Sequence, residues 1–348
     1  MNNAVQLWDN HLSVITRPTP HVQSPRDVVV KIAYSAVSGT DLHVLEGRID
    51  CAKSIILGHQ FVGIVKEIGA DVQHVSVGDR VVINPLTSCG ICDFCLKGQP
   101  HLCKVEGKNT AIGIKRNGGW AQFCRLSAKN VIPLPHQVTF EQALFSEPMS
   151  CILRGWDLLV PLQTDAEVLI CGAGNSGLLW ASFLHFRGYR EVVISEVLKG
   201  RQKIAHGLNF GFQLVTPDVL VSEARNAKQN DDQEWGFDVV VDCTGDPKCF
   251  EQSLQWLRQG GRLLLFGTCP RNANASINPN QLLQKELKII SYQGNSFTFT
   301  SGIQVLQDMG NHYLAFERLG VRTFQLQEYM AAIETMRSGE ISKAVFEY

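Results

Sequence analysis

The chain has 348 residues, enough for two domains and a large core, and its 45% apolar and 19% charged residues are the balance of an ordinary globular protein. The formal net charge of −1 gives no electrostatic footprint for nucleic acid or for an anionic membrane surface. No run of about 20 apolar residues marks a membrane span. Met1 to Asn10 carries no secretory pattern, and the odd count of 11 cysteines argues against a disulfide framework and for reduced thiols in the cytoplasm, some of them on metal.

The first 145 residues or so read as β structure: short strands, frequent glycines and no long helical period imply a β-rich, barrel-like domain. A Pro-rich connection, Pro18 to Pro25, leads into a strand over Val28–Ala33. Ser38-Gly39-Thr40-Asp41-Leu42-His43 crowds polar residues around a turn predicted at Gly39, and Gly58-His59-Gln60 forms a second cluster. Strands are predicted over Gly63–Gly69 and Val77–Ile83. Cys89, Cys92, Cys95 and Cys103 follow with C-x2-C-x2-C-x7-C spacing. Four thiolates so close can surround one tetrahedral ion, which suits zinc, and closely spaced cysteines also hold iron–sulfur clusters. A filled site would contribute on the order of 10 kcal/mol to folding a lobe this small. Asn117–Phe123 reads as a turn into a strand, and Glu141–Leu158 as a helix interrupted at Glu147-Pro148.

From Glu167 onward strand and helix alternate. The apolar run Val168–Cys171 ends in Gly172, Gly174 and Gly177, a helix pattern follows, and Val192–Ile194 reads as a second strand with Glu196 at its end. A glycine trio by itself can mark a mere tight loop; strand, helix, second strand and acidic residue in this order form the dinucleotide-binding βαβ unit. Gly172 permits the turn, Gly174 lets backbone approach a pyrophosphate, and Gly177 lets helix and strand pack closely. The N–H groups and positive end of the new helix then attract phosphate. Glu196, 24 residues past Gly172, is placed to accept the ribose hydroxyls, which favours NAD; Lys199 and Arg201 just beyond could offset its charge toward a 2′-phosphate. Phe237–Gly245, Arg262–Gly267 and Leu287–Ser291 supply further strands, with a crossover helix over Cys249–Arg258. A helix is predicted over Gln327–Arg337, and Ala344-Val345-Phe346 as a last strand that pairs back with the first domain.

These motifs, in this order and across essentially the whole chain, resemble the zinc-containing medium-chain dehydrogenase/reductase superfamily, in its sorbitol, threonine and other polyol dehydrogenase branch. The resemblance implies an α/β protein: a GroES-like β-rich catalytic domain at 1–148 and 295–348, with the four-Cys zinc lobe at 89–103, plus a Rossmann doubly wound parallel-sheet domain at 149–294. It implies a cleft between them, a homodimer or homotetramer, and a small-molecule alcohol or ketone as substrate. In such enzymes a zinc ion acts as Lewis acid on the substrate oxygen while hydride passes to the nicotinamide. By motif match the catalytic metal would sit among Ser38, His59 and Glu147, with Gln60 beside it; Thr40 would take the alcohol proton and His43 would pass it on. Gly172, Gly174, Gly177, Glu196 and Arg201 would hold NAD. Leu45, Trp120 and Phe297 are candidates for the substrate cleft.

Two departures change the chemistry. The family pattern has Cys where this chain has Ser38, and Glu where it has Gln60. A serine hydroxyl is neutral near pH 7 and a poor zinc ligand, and the amide of Gln60 removes a second anion. The catalytic zinc is therefore expected to be weakly held by His59 and Glu147, completed by water and Ser38, or absent; Cys51 or Cys151 could stand in as ligand. Three readings stay open: an NAD-dependent dehydrogenase for a secondary alcohol, a metal-independent carbonyl or quinone reductase polarised by Thr40, His43 and neighbouring hydrogen bonds, and a silent cofactor-binding relative.

Overall fold

The computed structural model of the chain describes residues 1–230 and 235–348. In the first half the strands are β1 (Asn2–Trp8), β2 (His11–Arg17), β3 (Asp27–Ala36), β4 (Ser54–Ile56), β5 (Phe61–Ile68), β6 (Arg80–Ile83), β7 (Phe123–Ser127) and β8 (Val131–Pro133). The second half contributes β9 (Val168–Cys171), β10 (Val192–Ser195), β11 (Gln213–Val215), β12 (Phe237–Asp242), β13 (Leu257–Leu265) and β14 (Lys288–Ser291), then β15 (Val321–Phe324) and β16 (Lys343–Glu347).

Strands β9, β10 and β12 are the buried apolar runs expected of a sheet covered on both faces, and β9 to β14 pair in parallel in the order β11-β10-β9-β12-β13-β14. That order reverses between β9 and β12, and doubly wound sheets bind ligands outside the carboxyl ends of the strands at such a reversal. The helices Asn175–Phe186 and Ser146–Leu159 supply Leu179, Phe183, Met149 and Trp156 to the core on one face.

The N-terminal strands form a second sheet, β15-β16-β3-β5-β6-β8 with β7 on β3, and a three-stranded sheet, β2-β1-β4. The C-terminal strand returns as predicted: β16 pairs antiparallel with β3, Val345 facing Ala36 and Phe346 facing Ser35. The helix Phe299–Leu314 crosses Ser146–Leu159 closely, since a Cβ on Gly302 would lie 3.2 Å from the Ser150 nitrogen. Thr298 Oγ1 also donates to the Ser150 carbonyl at 2.6 Å.

Two local expectations change. Gly39 opens a helix, Gly39–Leu45, because Ser38 caps it and Asp41 completes a capping box. Pro148 does not interrupt a helix; it lies in the first turn of Ser146–Leu159, where its missing N–H costs no helical bond. Among the described residues no helix is long and apolar enough to cross a membrane.

Phe346 is fully buried and meets the Trp120 ring edge-on at 5.4 Å. Phe346→Ala should cost about 3–5 kcal/mol, read as a lower urea midpoint for the N-terminal sheet.

Candidate active site

The glycines of the fingerprint have distinct steric reasons. Gly172 has φ +92°, a backbone region that favours glycine. A Cβ on Gly177 would lie 1.8 Å from the Gly172 carbonyl oxygen, so only glycine lets the helix start this close to β9. Gly174 caps that helix, and the Arg201 guanidinium borders it, 3.8 Å from where a Cβ would stand. Glu196 follows β10, whose Ser195 is in register with Cys171. Its carboxylate is 4% exposed and accepts the N–H groups of Ala173 at 2.7 Å and of Val197 and Leu198 at 2.8 Å each. The predicted ribose acceptor is thus locked directly against the glycine loop.

The four cysteines come together as the spacing predicts. Their sulfurs lie within 4.8 Å of one another, with contacts of 3.5 to 3.9 Å. Four ligands about 2.3 Å from one zinc sit about 3.8 Å apart, so the cage fits a single ion, whereas a cluster of several irons needs a wider one. The N–H groups of Cys89 and Glu106 point at the Cys103 sulfur at 3.4 and 3.3 Å. Burial works to raise the Cys103 thiol, but these donors and the Val105 N–H outweigh it and bring it down to about 6. That favours the thiolate a metal requires.

The other predicted cluster gathers around the His59 ring. The preceding Gly58 has φ +88°, and Trp120 packs so tightly over it that a Cβ would run into the indole. Trp120 is wholly buried, its N–H donating to the Ala36 carbonyl, so it shapes the His59 loop from the core and lines no cleft. His59 Nε2 faces Glu147 Oε2 at 3.8 Å; His59 Nδ1 faces the other way, with Ser38 Oγ at 3.4 Å and Asp41 Oδ1 at 3.9 Å. The structure therefore brings Ser38, His59 and Glu147 together, but places Ser38 and Glu147 at opposite nitrogens of one ring.

Ser38 is committed to its helix. Its hydroxyl donates to Asp41 Oδ2 at 2.7 Å and accepts the Asp41 N–H at 3.2 Å. Asp41 also accepts the N–H groups of Ser38 and Gly58. Burial pushes the Asp41 carboxyl up, but His59 and Ser38 outweigh it and hold it below its usual range. For His59, burial opposes the charged form, while Asp41 and Glu147 outweigh it and raise the imidazole above its ordinary value.

Two residues to which the sequence assigned no role of their own complete the cluster. One is Asp41. The other is Lys343, the first residue of β16, 1% exposed, whose ammonium donates to Gln60 Oε1 at 2.7 Å. Burial drives its pKa down to about 8, against the pull of Glu147 and Asp41. Gln60 Nε2 in turn donates to Glu147 Oε2 at 2.7 Å. The only sequence signal for Lys343 is a lysine at the head of an apolar strand.

Thr40 and His43 lie on the Gly39–Leu45 helix, three positions apart and so on one face. Burial, with Arg48 adding to it, lowers the His43 pKa and so disfavours its charged form. Cys151 donates to Glu147 Oε1 at 3.4 Å, and burial raises its thiol well above the usual range; Cys51 packs among the apolar residues of the N-terminal core, with Leu45. Neither converges with His59: among the described residues the four-Cys cage is the one group of three or more Cys, His, Asp or Glu ligand atoms close enough for a shared ion. Phe297, 75% exposed with φ +62°, lines a surface cleft together with Asn84, Leu86, His101 and Ser296.

Known proteins show the same architecture. Residues 24–136 match the alcohol dehydrogenase GroES-like domain, and residues 177–309 match the zinc-binding dehydrogenase family. D-arabinitol dehydrogenase 1 of Uromyces fabae is 30% identical over 331 residues, 95% of this chain and 92% of that protein. The chain belongs to the zinc-containing medium-chain dehydrogenase/reductase superfamily, in its polyol and threonine dehydrogenase-like branch. L-threonine 3-dehydrogenase of Legionella pneumophila (strain Corby) is 29% identical over 332 residues, 92% of each chain. A solved structure from Sinorhizobium meliloti 1021, described as a zinc-binding dehydrogenase bound to NADP, superposes with a TM-score of 0.85 at 27% identity, covering 100% of this chain and 99% of that one. This member of the superfamily is an alcohol dehydrogenase-type oxidoreductase.

For the residues that match the superfamily's catalytic metal site, the donor set fits poorly. His59 Nε2 and Glu147 Oε2 are the two ligand atoms that face each other, and a buried ammonium stands two hydrogen bonds away. Ser38→Ala removes the cap and should lower stability by about 1 kcal/mol, seen as a small drop in the thermal midpoint. Cys103→Ser should cost the zinc of the lobe, measured as one metal fewer per chain, with new protease cleavage inside 89–103.

Proposed function

We propose that the protein interconverts a secondary alcohol of a polyol, sugar or hydroxy amino acid and its ketone, with NAD as hydride carrier. The observation that carries this reading is Glu196: a carboxylate fixed by three backbone N–H groups against the glycine loop is a preformed acceptor for ribose hydroxyls and repels a 2′-phosphate. Gly172, Gly174 and Gly177 shape the loop that receives the pyrophosphate, and Arg201 borders it. D-arabinitol and L-threonine, named in two relatives, both carry secondary hydroxyls.

Zinc in the lobe of Cys89, Cys92, Cys95 and Cys103 is structural, a staple for a segment with little core of its own. Substrate oxygen docks near His59 and Glu147. Thr40 and His43 carry its proton toward solvent. A metal-independent carbonyl reduction at the same residues is the second reading, favoured by the commitment of Ser38 to Asp41. In this proposal 1–148 and 295–348 act as the catalytic unit and 149–294 as the cofactor unit. The enzyme is cytoplasmic, in keeping with free cysteines throughout. It is a homodimer or homotetramer, for which the unpaired edge of β14 offers a docking strand.

The test is an initial-rate survey of polyols, sugar alcohols and hydroxy amino acids with NAD and NADP, followed by the absorbance of the reduced nicotinamide. Turnover of a secondary alcohol with NAD preferred is expected. Tight NAD binding without turnover of any alcohol or ketone would leave a silent relative and overturn the reading. Glu196→Ala should weaken NAD binding about tenfold and reduce the preference over NADP, measured by calorimetry; unchanged NAD affinity would remove the carboxylate from the ribose.

A further inference from the structure

Lys343 is buried inside the cluster of His59, Glu147, Asp41 and Ser38, and its hydrogen bond fixes what its neighbour can do. A glutamine amide presents an acceptor at one end and donors at the other. With Oε1 held by the ammonium at 2.7 Å, Nε2 is the end turned to Glu147, and it donates to Oε2 at 2.7 Å. Oε2 is also the oxygen that faces His59 Nε2 at 3.8 Å, the pair a metal would bridge. The remaining ligand of the superfamily pattern is missing twice over: Ser38 carries no thiolate, and its hydroxyl donates to Asp41 beside the other ring nitrogen. Relative to the family pattern, with Cys at position 38 and Glu at position 60, the site lacks two negative charges, and a buried ammonium stands beside it. A dication placed there would have one carboxylate and one imidazole to hold it, with a like charge two hydrogen bonds away, and burying a poorly compensated charge is costly.

We propose that this pocket works without a catalytic metal, and that Lys343 is its positioning residue, acting through Gln60 to hold Glu147 and His59 in place for the substrate oxygen. The donor chain from Lys343 Nζ to Gln60 and from Gln60 to Glu147 takes over the charge-compensating part of the metal's task, and the substrate oxygen is polarised by hydrogen bonds. This rests on the dehydrogenase reading for the identity of the substrate, but not for the state of the site.

The first measurement is zinc content of the full-length protein purified without added metal, then cobalt(II) added to excess. One zinc per chain is expected, and no cobalt absorption from a second site. Two zinc ions per chain in the unaltered protein, or cobalt absorption from a second site, would overturn the proposal. The second measurement uses Lys343→Met and Gln60→Leu, each close in volume to the native residue. Each should lower kcat about 10- to 100-fold with NAD affinity unchanged. The double variant should be no worse than either alone, because both cut one chain, and Lys343→Arg should restore part of the loss. A folded Lys343→Met protein with native kcat and pH profile, or additive losses, would show a merely structural lysine and overturn the positioning role. A wild type that turns over no alcohol or ketone would sink the dehydrogenase reading, while the metal counts would still decide this one.

Discussion

Strand β16 hydrogen-bonds to β3 with Val345 opposite Ala36 and Phe346 opposite Ser35, and this pairing carries Lys343 to the loop that follows Ile56. Phe346 packs on Trp120, Trp120 packs over Gly58, and Gly58 is followed by His59 and Gln60. One strand pairing near the end of the chain therefore sets the position of residues drawn from three distant segments. The hydrogen bonds from Lys343 to Gln60 and from Gln60 to Glu147 then tie that sheet to the helix Ser146–Leu159. Its Met149 and Trp156 belong to the core of the parallel-sheet half. The polar chain and the apolar packing thus pull the same elements together, and each makes the other's geometry definite.

The two halves of the site obey different physics. At the glycine loop the constraint is steric: Gly177 meets a backbone oxygen, and Gly172 holds a positive φ. At the His59 cluster the constraint is charge. Four ionisable groups, Asp41, His59, Glu147 and Lys343, share a volume largely closed to water, and each is tolerated because another lies beside it. Replacing Cys by Ser at position 38 and Glu by Gln at position 60 alters that balance together rather than separately. A serine can serve as a helix cap where a thiolate would seek a metal, and a glutamine can relay a hydrogen bond where a carboxylate would pair directly with the ammonium.

The dinucleotide fingerprint and the cysteine quartet were legible because their geometry is local. Glycine spacing dictates a turn and a helix start, and four thiols within 15 residues have few places to go. The return of the last strand was also legible, since an apolar run at the end of a chain needs a partner sheet. Gly39 and Pro148 were misread for a common reason: both sit at helix starts, where Ser38 supplies a cap and Pro148 occupies a turn that lacks helical acceptors. Trp120, read as a cleft residue, is core, because no local pattern tells an aromatic facing a cavity from one facing a glycine.

By itself the sequence determined the main strands of both halves, the cofactor loop with its acidic partner, the metal lobe and the two departures at Ser38 and Gln60, all of them properties of residues near one another in the chain. Only the tertiary structure decided what those departures mean. The orientation of the Ser38 hydroxyl depends on Asp41 and on which nitrogen of His59 it meets, and the orientation of the Gln60 amide depends on Lys343, 283 residues away. Hydrogen-bond direction is set by whichever partners the fold brings into reach, and partners so far apart in the chain leave no trace in spacing or composition.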